Sequence, residues 1–228
     1  MITDLGTTKD GFRIRGFVHA TADAAAPWVL LVHQLGKDHT EYNTFAAQVV
    51  HAGANALALD LRGHGDSVVR TSGKPRIDDH RSLTPHDWQR CYRDVLLALG
   101  FIAKRSPRCG MVGSSIGASA VLKAVPRVPA LFATAPLVLL SPGLAYRGVD
   151  VRPAWRFLQQ RGTQPVRVLQ AQHDGPTVEF RQWVRAHGDA HTKFVTVPGA
   201  GHGLKLLADA AGQQRCNRLI RFLLRHLS

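Results

Sequence analysis

The sequence predicts an α/β protein with a mostly parallel central sheet. Three observations carry this. Short, wholly apolar runs recur at 28–32, 56–59 and 137–140, as strands buried on both faces require. Segments of helical period alternate with these runs. Finally, 228 residues suffice for one α/β domain with a sizeable core but not for two comfortable ones. One domain over 1–228 is therefore expected.

The elements come in order along the chain. Residues 7–20 read as a hairpin: Thr7-Thr8-Lys9-Asp10-Gly11 has turn chemistry, and Phe12, Ile14, Phe17 and Val18 supply a flanking strand. The strand 28–32 comes next. Residues 40–52 carry Phe45, Ala46, Val49 and Val50 at helical spacing, with Gly53 as the stop. After the strand 56–59, a polar loop covers about 66–81. Thr84-Pro85-His86-Asp87 reads as an N-cap, a first-turn proline and an early acid, opening one helix that runs through Leu99. Asp87 and Asp94 on it are expected to be surface charges. The strand 110–112, the helix 116–124 and the strand 137–140 come after it. Residues 145–163 form a short cap-like insert; its Trp155, Phe157 and Leu158 suit one amphipathic helix over a pocket. The strand 166–169, the helix 178–187 and the strand 194–197 lead to a closing helix in 206–227, apolar on one face.

Composition excludes some classes. At 45% hydrophobic and 20% charged residues, a largely disordered chain is not expected. The net charge of +13 invites a nucleic-acid reading, but the arginines are scattered through every segment. Arg215, Arg218, Arg221 and Arg225 fall on one stripe of the last helix, read here as a solvated face. Cys91, Cys109 and Cys216 match no metal or redox spacing and read as packing residues. Residues 1–10 lack a secretory pattern, and the apolar run at 130–140 is too short to span a bilayer. A cytoplasmic chain without membrane insertion is expected.

The chemistry centres on Gly113-Ser114-Ser115-Ile116-Gly117. It joins a strand to a helix, the setting of a G-x-S-x-G nucleophile elbow. Small residues must lie two before and two after the serine. Gly113 and Gly117 satisfy this for Ser115, whereas Ser114 would be flanked by Val112 and Ile116. A serine hydroxyl needs a general base, and the base needs an orienting acid. Asp174 and His202 come in the required order, each just past the carboxyl end of a strand. His173 precedes the acid and fits that order poorly; His187 and His191 read as solvated, and Asp150 is the runner-up acid. The oxyanion donors are expected at the backbone N–H of Ile116 and of Leu35.

With these residues in place, the sequence resembles the α/β-hydrolase family from about residue 11 to the end. Asp60-Leu61-Arg62-Gly63-His64-Gly65-Asp66-Ser67 is similar to the family's D-x-R-G-H-G-x-S segment, and Pro198-Gly199-Ala200-Gly201-His202-Gly203 to its histidine loop. The resemblance implies a structural turn for His64 and an ordering role for His33 in the oxyanion loop; Gln34 departs from the glycine usual there. Serine at 115 separates the chain from relatives that use aspartate or cysteine. The resemblance further implies an α/β-hydrolase fold with an N-terminal hairpin and a minimal lid, on the small serine esterase and dienelactone-hydrolase-like branch. The expected reaction is hydrolysis of small to medium carboxylic esters, without metal or cofactor. A thioesterase or small peptidase would use the same triad, and a non-catalytic ligand-binding homologue or a nucleic-acid module are the readings from other classes. A small-molecule ester is the expected partner; the sequence does not specify an oligomeric state.

Overall fold

The computed structural model describes residues 1–73, 76–188 and 192–227. Its elements are β1 (Ile2–Thr7), β2 (Arg13–His19), β3 (Trp28–Val32), α1 (Asn43–His51), β4 (Asn55–Asp60), a two-residue ribbon β5 (Val69–Arg70) and β6 (Arg76–Ile77), α2 (Pro85–Gln89), α3 (Tyr92–Ala103), β7 (Cys109–Ser114), α4 (Ile116–Ala124), β8 (Leu137–Leu140), a second ribbon β9 (Ala145–Tyr146) and β10 (Val149–Asp150), α5 (Arg152–Arg161), β11 (Val166–Ala171), α6 (Gly175–His187), β12 (Thr192–Val197) and α7 (Gly212–Arg225). His191, expected as a solvated residue, lies outside the described residues.

Eight strands form one sheet in the order β1-β2-β4-β3-β7-β8-β11-β12. The hairpin β1–β2 and the β2–β4 pair are antiparallel; every pair from β4 to β12 is parallel. All residues of β3, β4, β7 and β8 are buried, so their apolar runs follow from helices on both faces. Period-two alternation sorts the strand residues between two cores. Leu30, Val32, Leu57, Leu59, Met111, Leu137, Leu139 and Val168 face α3, α4, α5 and α6. Val29, Leu31, Ala56, Ala58, Val112, Val138, Leu140 and Leu169 face α1 and α7.

Several expectations need correction. The helix from residue 85 is two helices. Thr84 and Asp87 form a reciprocal capping box, but Arg62 Nη1 donates to the Asp87 carbonyl at 3.2 Å. The chain then kinks at Arg90, and α3 starts again at Tyr92. Asp87 and Asp94 are buried rather than surface charges. Asp94 forks onto Arg62, with Nη2 at 2.7 Å and Nε at 3.0 and 3.1 Å. The C-terminal segment is likewise divided: a 3-10 turn, Gly203–Leu207, precedes α7. At Gly212, a Cβ would lie 2.0 Å from the Leu207 carbonyl oxygen, so the chain turns there before the helix begins.

The insert does contain an amphipathic helix, but α5 does not cover a pocket. It buries Ala154, Trp155 and Leu158, and Trp155 meets Phe180 of α6 edge-on at 5.1 Å. The three cysteines are free and buried, as packing residues should be. Burial pushes the thiols of Cys91 and Cys109 up to about 12.

Candidate active site

β7 ends at Ser114, α4 starts at Ile116, and Ser115 turns the chain between them. Its backbone lies at φ 54, ψ −116, a region that a residue with a Cβ enters only when its surroundings impose it. The surroundings here are the two glycines. A Cβ on Gly113 would lie 2.6 Å from Ala118 Cα and from the Gly117 oxygen, and one on Gly117 would lie 2.3 Å from the Val32 oxygen. The Ser115 N–H donates to the Leu140 carbonyl at 2.8 Å, which ties the turn to β8. Ser114 is fully buried, while Ser115 borders an open pocket of about 530 Å³.

The loops after β11 and β12 are tied to each other: the Gln172 N–H donates to the Val197 carbonyl at 2.9 Å, and His173 N–H to the Gly199 carbonyl at 3.2 Å. That pairing sets Asp174 beside His202. His202 Nδ1 lies 2.8 Å from Asp174 Oδ2, and its Nε2 lies 2.7 Å from Ser115 Oγ. With the ring proton on Nδ1 donated to the carboxylate, Nε2 is left to accept from the serine hydroxyl. Ser115, His202 and Asp174 thus form one hydrogen-bonded line. Asp150 is bonded to Arg152 at 2.9 Å instead, and His187 is exposed on α6, stacked on Trp183 at 4.4 Å.

Three residues that brace this line or the loops beside it carried no motif of their own. Thr177 donates to Asp174 Oδ2 at 2.7 Å; its place three residues on, one helical turn away, is the signal that could have flagged it. Ser141 Oγ accepts from the Gly203 N–H at 2.9 Å and so anchors the histidine loop to the end of β8. The Glu41 carboxylate accepts from the Gln34 N–H at 3.1 Å. Burial pushes the Glu41 carboxyl above its ordinary range, and that Gln34 bond works against the shift.

Leu35 and Ile116 both line the pocket with Ser115. As the first residue of α4, Ile116 has an N–H with no partner inside the helix. The Leu35 N–H belongs to the peptide whose carbonyl is that of Gln34. That carbonyl accepts from His33 Nδ1 at 2.8 Å and from the Lys37 N–H at 3.2 Å. In a trans peptide the N–H points away from the carbonyl, so pinning one end aims the other. His33 Nε2 accepts from the Leu61 N–H at 3.0 Å, which fixes the ring tautomer. His64 repeats the pattern, donating to the Arg62 carbonyl at 2.9 Å and accepting from the Gly36 N–H at 3.2 Å. Both rings are committed to loop carbonyls and amides, and burial lowers His33 to about 3 and His64 to about 4. His33 orders the loop as the resemblance implies, and His64, from its own turn, adds a tie to the Gly36 N–H.

Asp38, His39 and Asp60 are the acid and histidine cluster, among the described residues, close enough to hold a cation. The Asp60 carboxylate already accepts from the His39 N–H at 2.6 Å and the Asp66 N–H at 3.0 Å, and His39 Nδ1 lies 3.0 Å from it. The cluster therefore reads as the brace of the 60–67 turn.

The model for the family described as serine aminopeptidase, S33, matches residues 23–208. The chain belongs to this α/β-hydrolase family. Solved structures similar to it over its whole length include an esterase from Pyrococcus furiosus (16% identity, 94% of that chain covered, TM-score 0.69) and a dienelactone hydrolase from Anabaena variabilis (15%, 99%, 0.69). A thermophilic esterase from Thermogutta terrifontis is similar as well (14%, 100%, 0.66). These likenesses establish the fold. A comparison with curated proteins found no match. The mostly parallel sheet of such a fold is present, and no described helix is long and apolar enough to cross a membrane.

Proposed function

We propose that this hydrolase cleaves carboxylic esters through an acyl-serine intermediate on Ser115. The observation that carries the reading is the Asp174–His202–Ser115 line, with the serine held in a strained turn at the pocket. His202 Nε2 takes the hydroxyl proton as Ser115 Oγ attacks the ester carbonyl. Asp174, steadied by Thr177, keeps the imidazole oriented and balances the imidazolium. The amides of Leu35 and Ile116 receive the oxyanion. The tetrahedral adduct collapses as His202 returns the proton to the departing alcohol. Water, deprotonated by His202, then attacks the acyl-serine and releases the acid. Each step uses groups of this chain alone.

Small to medium acyl groups suit the pocket. Its volume is about 530 Å³, and Ala145, Tyr146 and Pro176 form its wall, with no residue of α5 in the lining. The peptidase reading is favoured by membership of a family described as serine aminopeptidase. Glu179, also on the wall, is a carboxylate that could receive a substrate amine. A thioesterase would use the same groups.

Ser115→Ala should lower turnover of p-nitrophenyl acetate and butyrate by at least about a thousandfold with an unchanged circular-dichroism spectrum. A fluorophosphonate should label Ser115 and leave Ser114 unmodified. Retained ester turnover, or label on Ser114, would overturn the assignment. Faster cleavage of aminoacyl p-nitroanilides than of the esters would favour the peptidase.

A further inference from the structure

A second cavity lies away from the candidate triad. It has a volume of about 710 Å³ and sits between α7 and the last two strands. The parallel register pairs Arg167 with Lys193 and Leu169 with Val195, so alternation sends these four side chains to the α7 side of the sheet. From α7, Leu219 and Phe222 meet Leu169 and Val195 in a shared apolar floor, and Arg218 and Arg221 stand on the rim. The triad is past the opposite ends of the same strands.

A solvated helix face, the reading the arginine stripe alone supports, does not account for this arrangement. Arg167 and Lys193 come from the sheet and converge on the arginines of the helix. Among the described residues, no aspartate or glutamate lines the groove. The Arg167 guanidinium lies over the Phe222 ring at 4.6 Å, and its buried Nε has no hydrogen-bond acceptor. A buried donor without an acceptor is costly. Arg218 and Arg221 are exposed on the rim and make no ion pair among the described residues. The site is concave, apolar at its base and cationic around it.

We propose that this groove binds one amphiphilic anion per chain, an alkyl phosphate or alkyl carboxylate. The tail would lie on Leu169, Val195, Leu219 and Phe222, and the head would take charge-assisted bonds from Arg167, Lys193, Arg218 and Arg221. The volume suits a small ligand. A flat bilayer surface cannot reach a recessed floor, and the Phe222 ring is already covered by Arg167 and met edge-on by His226 at 5.0 Å, so it offers no stacking platform to a nucleic-acid base.

The test is calorimetric titration of monomeric decyl phosphate, below its micelle concentration. Saturable binding at one per chain is expected, tightening roughly two- to fourfold per methylene from octyl to decyl phosphate. Arg218→Glu/Arg221→Glu should weaken binding at least tenfold with esterase turnover unchanged, and Arg218→Gln/Arg221→Gln should fall between. Both pairs are on the exposed face of α7, and a melting curve checks their fold. Ser115→Ala should bind as the parent does, which places the ligand outside the candidate active site whether or not the esterase reading stands. Unchanged affinity in the glutamate pair would overturn the proposal. So would inorganic phosphate binding as tightly as decyl phosphate, binding only to phosphatidylglycerol vesicles, or tighter binding of a short oligonucleotide.

Discussion

Gly203 comes directly after the candidate base and packs against the elbow and the oxyanion loop. Its φ is +61, and a Cβ there would lie 2.1 Å from Gln34 Oε1 and 2.4 Å from Ser114 Oγ. Its N–H holds Ser141. Gln34 fills the space that Gly203 leaves open. Gly203→Ala should therefore push the histidine loop away from Ser115. The expected result is a drop of at least tenfold in kcat/KM on p-nitrophenyl butyrate, with a loss of roughly 1–3 kcal/mol in urea-unfolding stability from the strained backbone and the clash. An alanine variant with parental kcat/KM would show that the loop is not held as described. Ser115, Asp174 and His202 were legible in the sequence because chain order and flanking glycines are local signals. Ser141, 62 residues from Gly203, and Glu41, whose role depends on how a loop closes, leave no such signal.

Between elements, Arg62 is the main tie. It is fully buried and binds Asp94 of α3, Asp10 of the loop after β1 at 2.6 Å and the Asp87 carbonyl of α2. Its guanidinium lies over the Phe12 ring at 4.7 Å. Burial works against the Asp10 carboxylate, yet the Arg62 bond and charge hold its carboxyl below the ordinary range. Removing the cation alone would strand the buried Asp94 carboxylate, whereas Asp10 keeps Arg93 at 3.1 Å. Arg62→Met should cost about 3–5 kcal/mol, and adding Asp94→Leu should restore part of that loss because no charge on α3 is then left unpaired. Urea unfolding of the two variants measures both; a cost under about 1 kcal/mol for Arg62→Met would remove Arg62 from this role. The same residue explains why the sequence misled about α2 and α3. The strands were legible because their apolar runs are set by burial on both faces. The break at Arg90 and the burial of Asp94 follow from a guanidinium in another part of the chain, and the buried Asp87 carboxylate is paired with Arg70 at 3.2 Å. Likewise, the amphipathic pattern of α5 was readable, but which surface would receive it was not: Trp155 found Phe180 rather than the pocket.

For the molecule as a whole, the two loop histidines couple folding to pH. His33 and His64 are held neutral in the native state, with pKa values lowered to about 3 and about 4 by burial. In the unfolded chain each titrates near the ordinary value of about 6.5. Folded values below unfolded ones mean stability that is full above pH 6.5 and is lost as pH falls from there toward 4 and 3. Each histidine contributes a slope approaching about 1.4 kcal/mol per pH unit, so roughly 2–3 kcal/mol should be lost between pH 6.5 and pH 5. Glu41, Asp60 and Asp94, whose carboxyls burial raises, act in the opposite sense, and His19, lowered by burial, acts in the same sense as the loop pair. The +13 charge adds self-repulsion as pH falls, but nearly equally in a parent and a neutral-for-neutral variant. Comparison with His64→Gln therefore isolates the ring. The variant should be less stable at pH 7, where it lacks the bonds to Arg62 and Gly36. Its stability should then fall less steeply between pH 6.5 and 5, by up to about 1.4 kcal/mol per pH unit, as read from urea midpoints at fixed temperature. Parallel profiles for the two proteins would mean that His64 takes up its proton in the native state, and that the Gly36 N–H is not held by a neutral ring.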